Sequence, residues 1–329
     1  MSDALVYSQG KRLALAEPAS AAHWIGENAF FALGDGAVRV IGAEDRKFEI
    51  HDGAILSAAA KGADKILLTG GDDGRIKSVN AEGEITTLYE NRKWIDHLIA
   101  SDASGVIVAG VGKEAIVFKN GAESHRFAYA STLGGMALDA KGRRLAVSHY
   151  GGVTLRLVLA PDDKGQELKW AGSHLTVTLS PDADYVVSAM QELELHGWKL
   201  PEKLDLRMSG YGAKTKSFSW DKRGRWLATS GADRAVVWPF TGKQGPQGKA
   251  PNLYGEREAM VTSVAFHPAE EFLAIGYSDG AVLLARFADA AEMEIDEPGE
   301  GAVTALAWRG DGKALAWGDE AGRGGIVNF

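Results

Sequence analysis

Val261–Phe287 reads VTSVAFHPAEEFLAIGYSDGAVLLARF and divides into three short strands. Val261–Phe266 alternates apolar and small side chains, as a half-buried strand does. His267-Pro268-Ala269-Glu270 turns the chain, and a second apolar run, Phe272–Ile275, ends at Gly276. Ser278-Asp279-Gly280 is a tight turn, because Asp and Gly tolerate positive φ where other residues clash. Val282-Leu283-Leu284 is the third strand. Three strands bury too little surface to stand alone, so this unit must pack against others like it.

Such copies recur. LLTGGDDGRIKSV from Leu67, LATSGADRAVVW from Leu227, VTALAW from Val303, MALDAKGRRLAVSHYGG from Met136 and HLTVTLSPDADYVVSA from His174 keep the strand–turn–strand order, and weaker copies lie at 96–118 and 23–40. Marked by the second turn (Gly36, Gly74, Glu114, Gly152, Glu192, Arg234, Gly280, Gly322), the steps run from 38 to 46 residues. That period belongs to a four-stranded propeller blade, not to a helical or leucine-rich repeat. Intervening runs such as 47–50, 84–88 and 292–295 supply a fourth strand. The reading is an all-β closed β-propeller of four-stranded blades forming one domain over 1–329, with eight blades and seven as the alternative. The last unit lacks its fourth strand, and Arg12–Ala16 precedes the first unit without a blade of its own. This N-terminal segment is therefore expected to pair into the last blade and close it.

Composition narrows the function classes. The 329 residues contain no Cys, which removes disulfides, cysteine metal sites and thiol catalysis. A net charge of −8 argues against a general role on phosphate backbones, so nucleic acid is not an expected partner. No secretory pattern opens the chain, and no apolar run is long enough for a membrane helix. A cytoplasmic monomer is expected.

The units resemble the WD40 repeat family. Val261–Pro268 and Thr176–Asp182 are similar to its first strand and Ser-Pro-Asp turn, and 67–79, 227–238 and 273–284 to its second and third strands. In that family an Asp, a Ser or Thr, a Trp and an entrance His share a hydrogen-bond network. The resemblance assigns Asp73, Asp233 and Asp279 to the Asp, Thr69 and Thr229 to the hydroxyl, and Trp238 to the Trp. The entrance Gly-His pair is missing almost everywhere, Gly172-Ser173-His174 being the nearest trace.

No catalytic constellation is legible. There is no G-x-S-x-G, no P-loop and no H-x-x-x-H or H-x-H pair. Gly70-Gly71-Asp72-Asp73-Gly74 is a β-turn whose carboxylates would repel phosphate. His23, His97 and His174 sit near the innermost strands of different units. They are the candidates for a channel metal, against the plainer reading that each bonds nearby backbone. Lys141-Arg143-Arg144 and Lys222-Arg223-Arg225 read as solvated turns, with an acidic partner as the sharper alternative. Trp94, Tyr129, Trp170 and Tyr211 precede first strands, and His149, Tyr150, Tyr277 and Trp317 precede second turns. Entrance loops and second turns open on one propeller face, so these eight form the candidate partner-binding surface, aromatic and partly acidic. The expected function is a non-catalytic, cofactor-free scaffold that binds a protein or peptide. The alternative is a propeller enzyme or metal/cofactor binder using the central channel.

Overall fold

In the computed structural model, which describes residues 4–200, 202 and 204–329, the opening stretch forms the ladder Val261–Phe266, Phe272–Tyr277 and Val282–Arg286. Glu292–Asp296 adds an outer fourth strand. Pairing is antiparallel throughout, with Val264 opposite Ile275 and Ile275 opposite Leu283, so the apolar side chains of neighbouring strands share a face. The described residues are all-β apart from a four-residue helix, Val6–Gln9, and a single 3-10 turn, Gly62–Asp64.

Two compact units divide the chain. The first comprises residues up to Phe48 together with Gly210–Phe329, and the second Glu49–Ser209. Four-stranded sheets at 19–49, 218–254, 261–296 and 303–328 belong to the first, and those at 55–90 and 97–128 to the second. The second unit also contains a six-stranded sheet over 135–208. The expectation of eight blades is thereby corrected: the ladders form seven sheets, the alternative count. The copies beginning at Met136 and His174 share the six-stranded sheet. Arg144–Leu157 is one 14-residue element because Gly151 and Gly152, at φ +89° and +145°, turn the chain while its extended pairing continues. Val158 N–H then returns to Arg143 O at 2.9 Å. Gln166–Leu179 likewise runs from the outer strand of one copy into the inner strand of the next.

The N-terminal strand behaves as the sequence predicts. Gly10–Ala14 pairs with Arg323–Asn328, and Leu15 and Ala16 N–H both donate to Gly322 O, at 2.8 and 3.1 Å. Charge reinforces the seam. Arg12 is ion-paired with the buried Asp296, and Arg323 Nε donates to the buried Asp319 at 3.0 Å.

Each sheet ends inward in a strand whose outer edge has no ladder partner, and buried edge groups must be satisfied somehow. In the first unit, side chains do this from sheet to sheet. Ser219 Oγ accepts from Phe266 N–H (2.8 Å), Ser263 Oγ donates to Val303 O (3.0 Å), and Thr304 Oγ1 donates to Ala19 O (2.5 Å). Indoles add Trp308 Nε1 to Ala265 O (3.1 Å) and Trp24 Nε1 to Ala307 O (3.0 Å). In the second unit Ser57 Oγ donates to Ile95 O at 2.9 Å. Glycine permits the same close approach: a Cβ on Gly276 would lie 2.5 Å from Val303 Cγ1.

Gly276→Ala is therefore expected to destabilise the protein by about 1–3 kcal/mol through overpacking. Gly310→Ala, whose Cβ would meet nothing within 4 Å, is expected to be close to neutral. Urea unfolding of the two variants beside the parent measures the contrast.

Candidate functional site

The networks under the turns take three forms. In the 55–90 sheet, His51 shares hydrogen bonds with Asp73 Oδ1 and Thr69 Oγ1, both at 2.9 Å, and Thr69 Oγ1 reaches Lys77 O at 3.3 Å. Asp73 and Thr69 fill the places the family resemblance assigns them. His51, 22 residues before Asp73, supplies the entrance imidazole that sequence reading missed. In the 218–254 sheet a phenol replaces the imidazole. Tyr211 OH bonds Thr229 Oγ1 at 2.7 Å and accepts from Trp238 Nε1 at 2.7 Å, while Thr229 Oγ1 donates to Val236 O at 3.0 Å. Asp233 lies outside this network and pairs with Arg234 at 2.9 Å. Asp279 serves its own turn, accepting from Ala281 N–H at 3.0 Å. In the six-stranded sheet, His174 bonds Ser188 Oγ (2.7 Å) and Trp170 O (3.1 Å), and Ser188 Oγ donates to His196 O (3.2 Å).

These networks decide the fate of the aromatic face. Three of its expected members, all in the first unit, are core residues, and the expectation for them is corrected. Tyr211 is buried in its network, with burial pushing its phenol far above the ordinary value. Tyr277 is 0% exposed and donates to Gly255 O at 2.6 Å. Trp317 is 1% exposed, and its ring fits only because residue 325 is glycine, whose Cβ would lie 2.2 Å from Trp317 Cζ2. Each precedes a second turn or a first strand as foreseen, but its side chain points into the sheet packing, where large apolar rings gain most.

The five members in the second unit fall on one connected file of loops. Asp96 N–H donates to Gly110 O, Leu133 N–H to Gly112 O, Tyr129 N–H to Lys113 O, Tyr150 N–H to Ser131 Oγ, and Gln191 N–H to Ser173 O, all between 2.9 and 3.2 Å. Entrance loops and second turns thus alternate along this unit. Trp94, 61% exposed, and Tyr150, 72% exposed, project from the file. His149 and Trp170 are half-buried: His149 bonds Thr154 Oγ1 at 2.8 Å, and Trp170 stacks on His196 with centroids 3.9 Å apart. Tyr129 is also half-buried, and burial raises its phenol to about 12. Exposed Arg92 and Lys93 immediately precede Trp94, so this end of the face carries basic side chains.

No group of three His, Asp or Glu side chains suited to a metal occurs among the described residues. His97 bonds Leu133 O at 3.3 Å, His174 is held as above, and His23 lies on Ala19–Ile25 opposite Phe30. The basic clusters are built as turns. Asp139 Oδ1 accepts from the N–H groups of Arg143 and Arg144, at 2.6 and 2.9 Å. Asp221 Oδ1 does the same for Arg225 and Trp226, at 2.6 and 2.8 Å.

Residues 250–284 match the family model described as WD40, the WD domain or G-beta repeat, which takes in most of the stretch that opened the reading. Among solved structures, the computationally designed Ika8 protein shares the fold: TM-score 0.78 over 95% of this chain and 97% of that one, at 16% identity. No curated protein matches the sequence.

Burial is the leading influence that holds the imidazoles of His51, His97, His174 and His196 below the ordinary value, against hydrogen bonds that act the other way. As pH falls through about 6.5 the unfolded chain takes up protons that the folded chain resists, so stability is lost on acidification. The urea midpoint is expected to drop between about pH 7.5 and about pH 5.5, and to drop less in His97→Gln.

Proposed function

We propose that this chain is a non-catalytic interaction scaffold, working as a single WD40-type domain over 1–329, that holds a protein or peptide partner on the loop file of its second unit. The observation that carries this reading is the pair of large aromatic side chains, Trp94 and Tyr150, left exposed on loops that hydrogen bonds fix in place. Exposed aromatics on a pre-organised surface bury large area at small conformational cost, which is why such residues dominate binding energies. Arg92 and Lys93 beside Trp94 favour a partner segment with acidic residues near an apolar one. Scaffold activity also accords with the general habit of WD40 propellers, a fold-level argument that says nothing about the individual partner. No described helix is long and apolar enough to cross a membrane. A monomer in the cytoplasm completes the reading.

Co-purification from the native host with the parent and with Trp94→Ala/Tyr150→Ala tests it. Both substitutions lie at exposed positions, so the fold should be kept while the partner is lost. With a purified partner, each substitution is expected to cost about 2 kcal/mol, roughly thirtyfold in Kd. A partner retained at parental affinity by the double variant would refute the assignment of the face.

A further inference from the structure

At the end of the Arg144–Leu157 element away from Tyr150, about 20 Å along the strand, a cavity of about 520 Å3 opens within the second unit. Its wall is two-faced. Leu155, Leu157 and Leu200 supply the apolar part, and Leu157 remains half-exposed there. Arg144, Arg156 and Lys164 supply the polar part, and none of these three cations makes an ion pair among the described residues.

Arg156 is the fixed member. Its guanidinium lies 4.7 Å from the Phe127 ring centroid and 5.7 Å from that of Tyr129, and Nη1 donates to Asp163 O. Gly165 packs against it so closely that a Cβ there would sit 3.2 Å from Cζ and Nε. Nε is buried with no hydrogen bond within 3.5 Å, its neighbour being the Tyr129 hydroxyl, which is likewise unpartnered at that distance. Neither of the wall's carboxylates, Asp163 and Asp184, forms an ion pair with Arg156. Asp163 Oδ2 is turned toward the N–H groups of Leu157 (3.3 Å) and Gly165 (3.0 Å), and with Asp184 it leaves the wall one cation in excess.

The corresponding cavity of about 440 Å3 in the first unit makes the contrast. There Arg225 lies 3.4 Å from Asp221 and 3.6 Å from Glu271, so its cation is already neutralised by the walls. A pre-oriented guanidinium with two further cations beside an aliphatic wall is complementary to an anion on an apolar stem, because Arg matches the planar carboxylate and leucine side chains exclude water from the stem.

We infer that the Arg144–Arg156–Lys164 cavity binds a carboxylate carried on an aliphatic stem, either a free alkanoate or an acidic side chain next to a leucine in a peptide. It lies apart from the aromatic file and does not depend on that file's role.

Amide shifts of 15N-labelled full-length protein test this, with hexanoate and the acetylated, amidated peptide Gly-Leu-Glu-Leu-Gly as probes and hexanol and hexylamine as controls. Saturable binding of at least one carboxylate, with shifts at the Leu157 and Gly165 amides, is the expected result. Arg144→Glu/Lys164→Glu, both exposed positions, should weaken it about tenfold or more at an unchanged Tm. Tighter binding of the peptide assigns the site to a partner's side chain, and tighter binding of hexanoate to a free acid. Hexanol or hexylamine binding as well as the carboxylates, an unaffected double variant, or no saturation with either carboxylate would overturn the inference.

Discussion

The packing of the first unit rests on how the inner strand of each sheet disposes of its free edge. A β-sheet that stops at an inner strand presents N–H and C=O groups to its neighbour at a distance where no ladder forms. Ser219, Ser263, Thr304, Trp24 and Trp308 close that gap in the first unit by carrying hydroxyl and indole groups to backbone of the adjoining sheet. Glycine at positions such as 276 lets the next inner strand, through Val303, come close enough for those bonds to be made. Small polar residues on inner strands and glycine on second strands are two aspects of one constraint, and the same constraint explains how the separate sheets of the first unit pack against one another.

The polar networks beneath the turns show how loosely a repeat can keep its chemistry while keeping its geometry. A buried hydroxyl on the second strand needs a partner in each case, but the partner varies. At Thr69 it is an imidazole backed by a carboxylate, at Thr229 a phenol backed by an indole, and at Ser188 an imidazole held by a carbonyl. What is preserved is satisfaction of the buried group, since leaving it unpaired in a low-dielectric interior is costly. This substitution within the networks also consumes aromatic residues that would otherwise be available at the surface, as Tyr211 demonstrates.

The two surface features then divide by physical type. Along the loop file of the second unit, aromatic side chains stand out on backbone pinned by hydrogen bonds, a design suited to a macromolecular partner. The cavity near Arg156 is concave, amphipathic and short of counter-charge, a design suited to one small acidic group. Both occur in the unit that also contains the merged six-stranded sheet. There Tyr150 pairs with Ser173 in the ladder, carrying the strand register up to the base of the exposed turn. The exposed ring is therefore mounted on sheet and not on a free loop.

Repetition made most of the fold legible in advance. A forty-residue period, alternation with period two and Asp-Gly turns are local properties, and the strands they predict are the strands observed, including the N-terminal segment that completes the last sheet. Asp73 and Thr69 were readable as a network pair because their roles follow from position in the repeat. The number of sheets was not readable, since whether Gly151-Gly152 and the segment around Gly172 break a ladder or continue it depends on backbone pairing across the turn. Nor was the direction of an aromatic side chain at a strand end. Tyr277 and Tyr150 both precede a second turn, yet one is sealed beneath its turn and the other stands in solvent, because which side of the strand faces a neighbouring sheet is set only when the sheets pack.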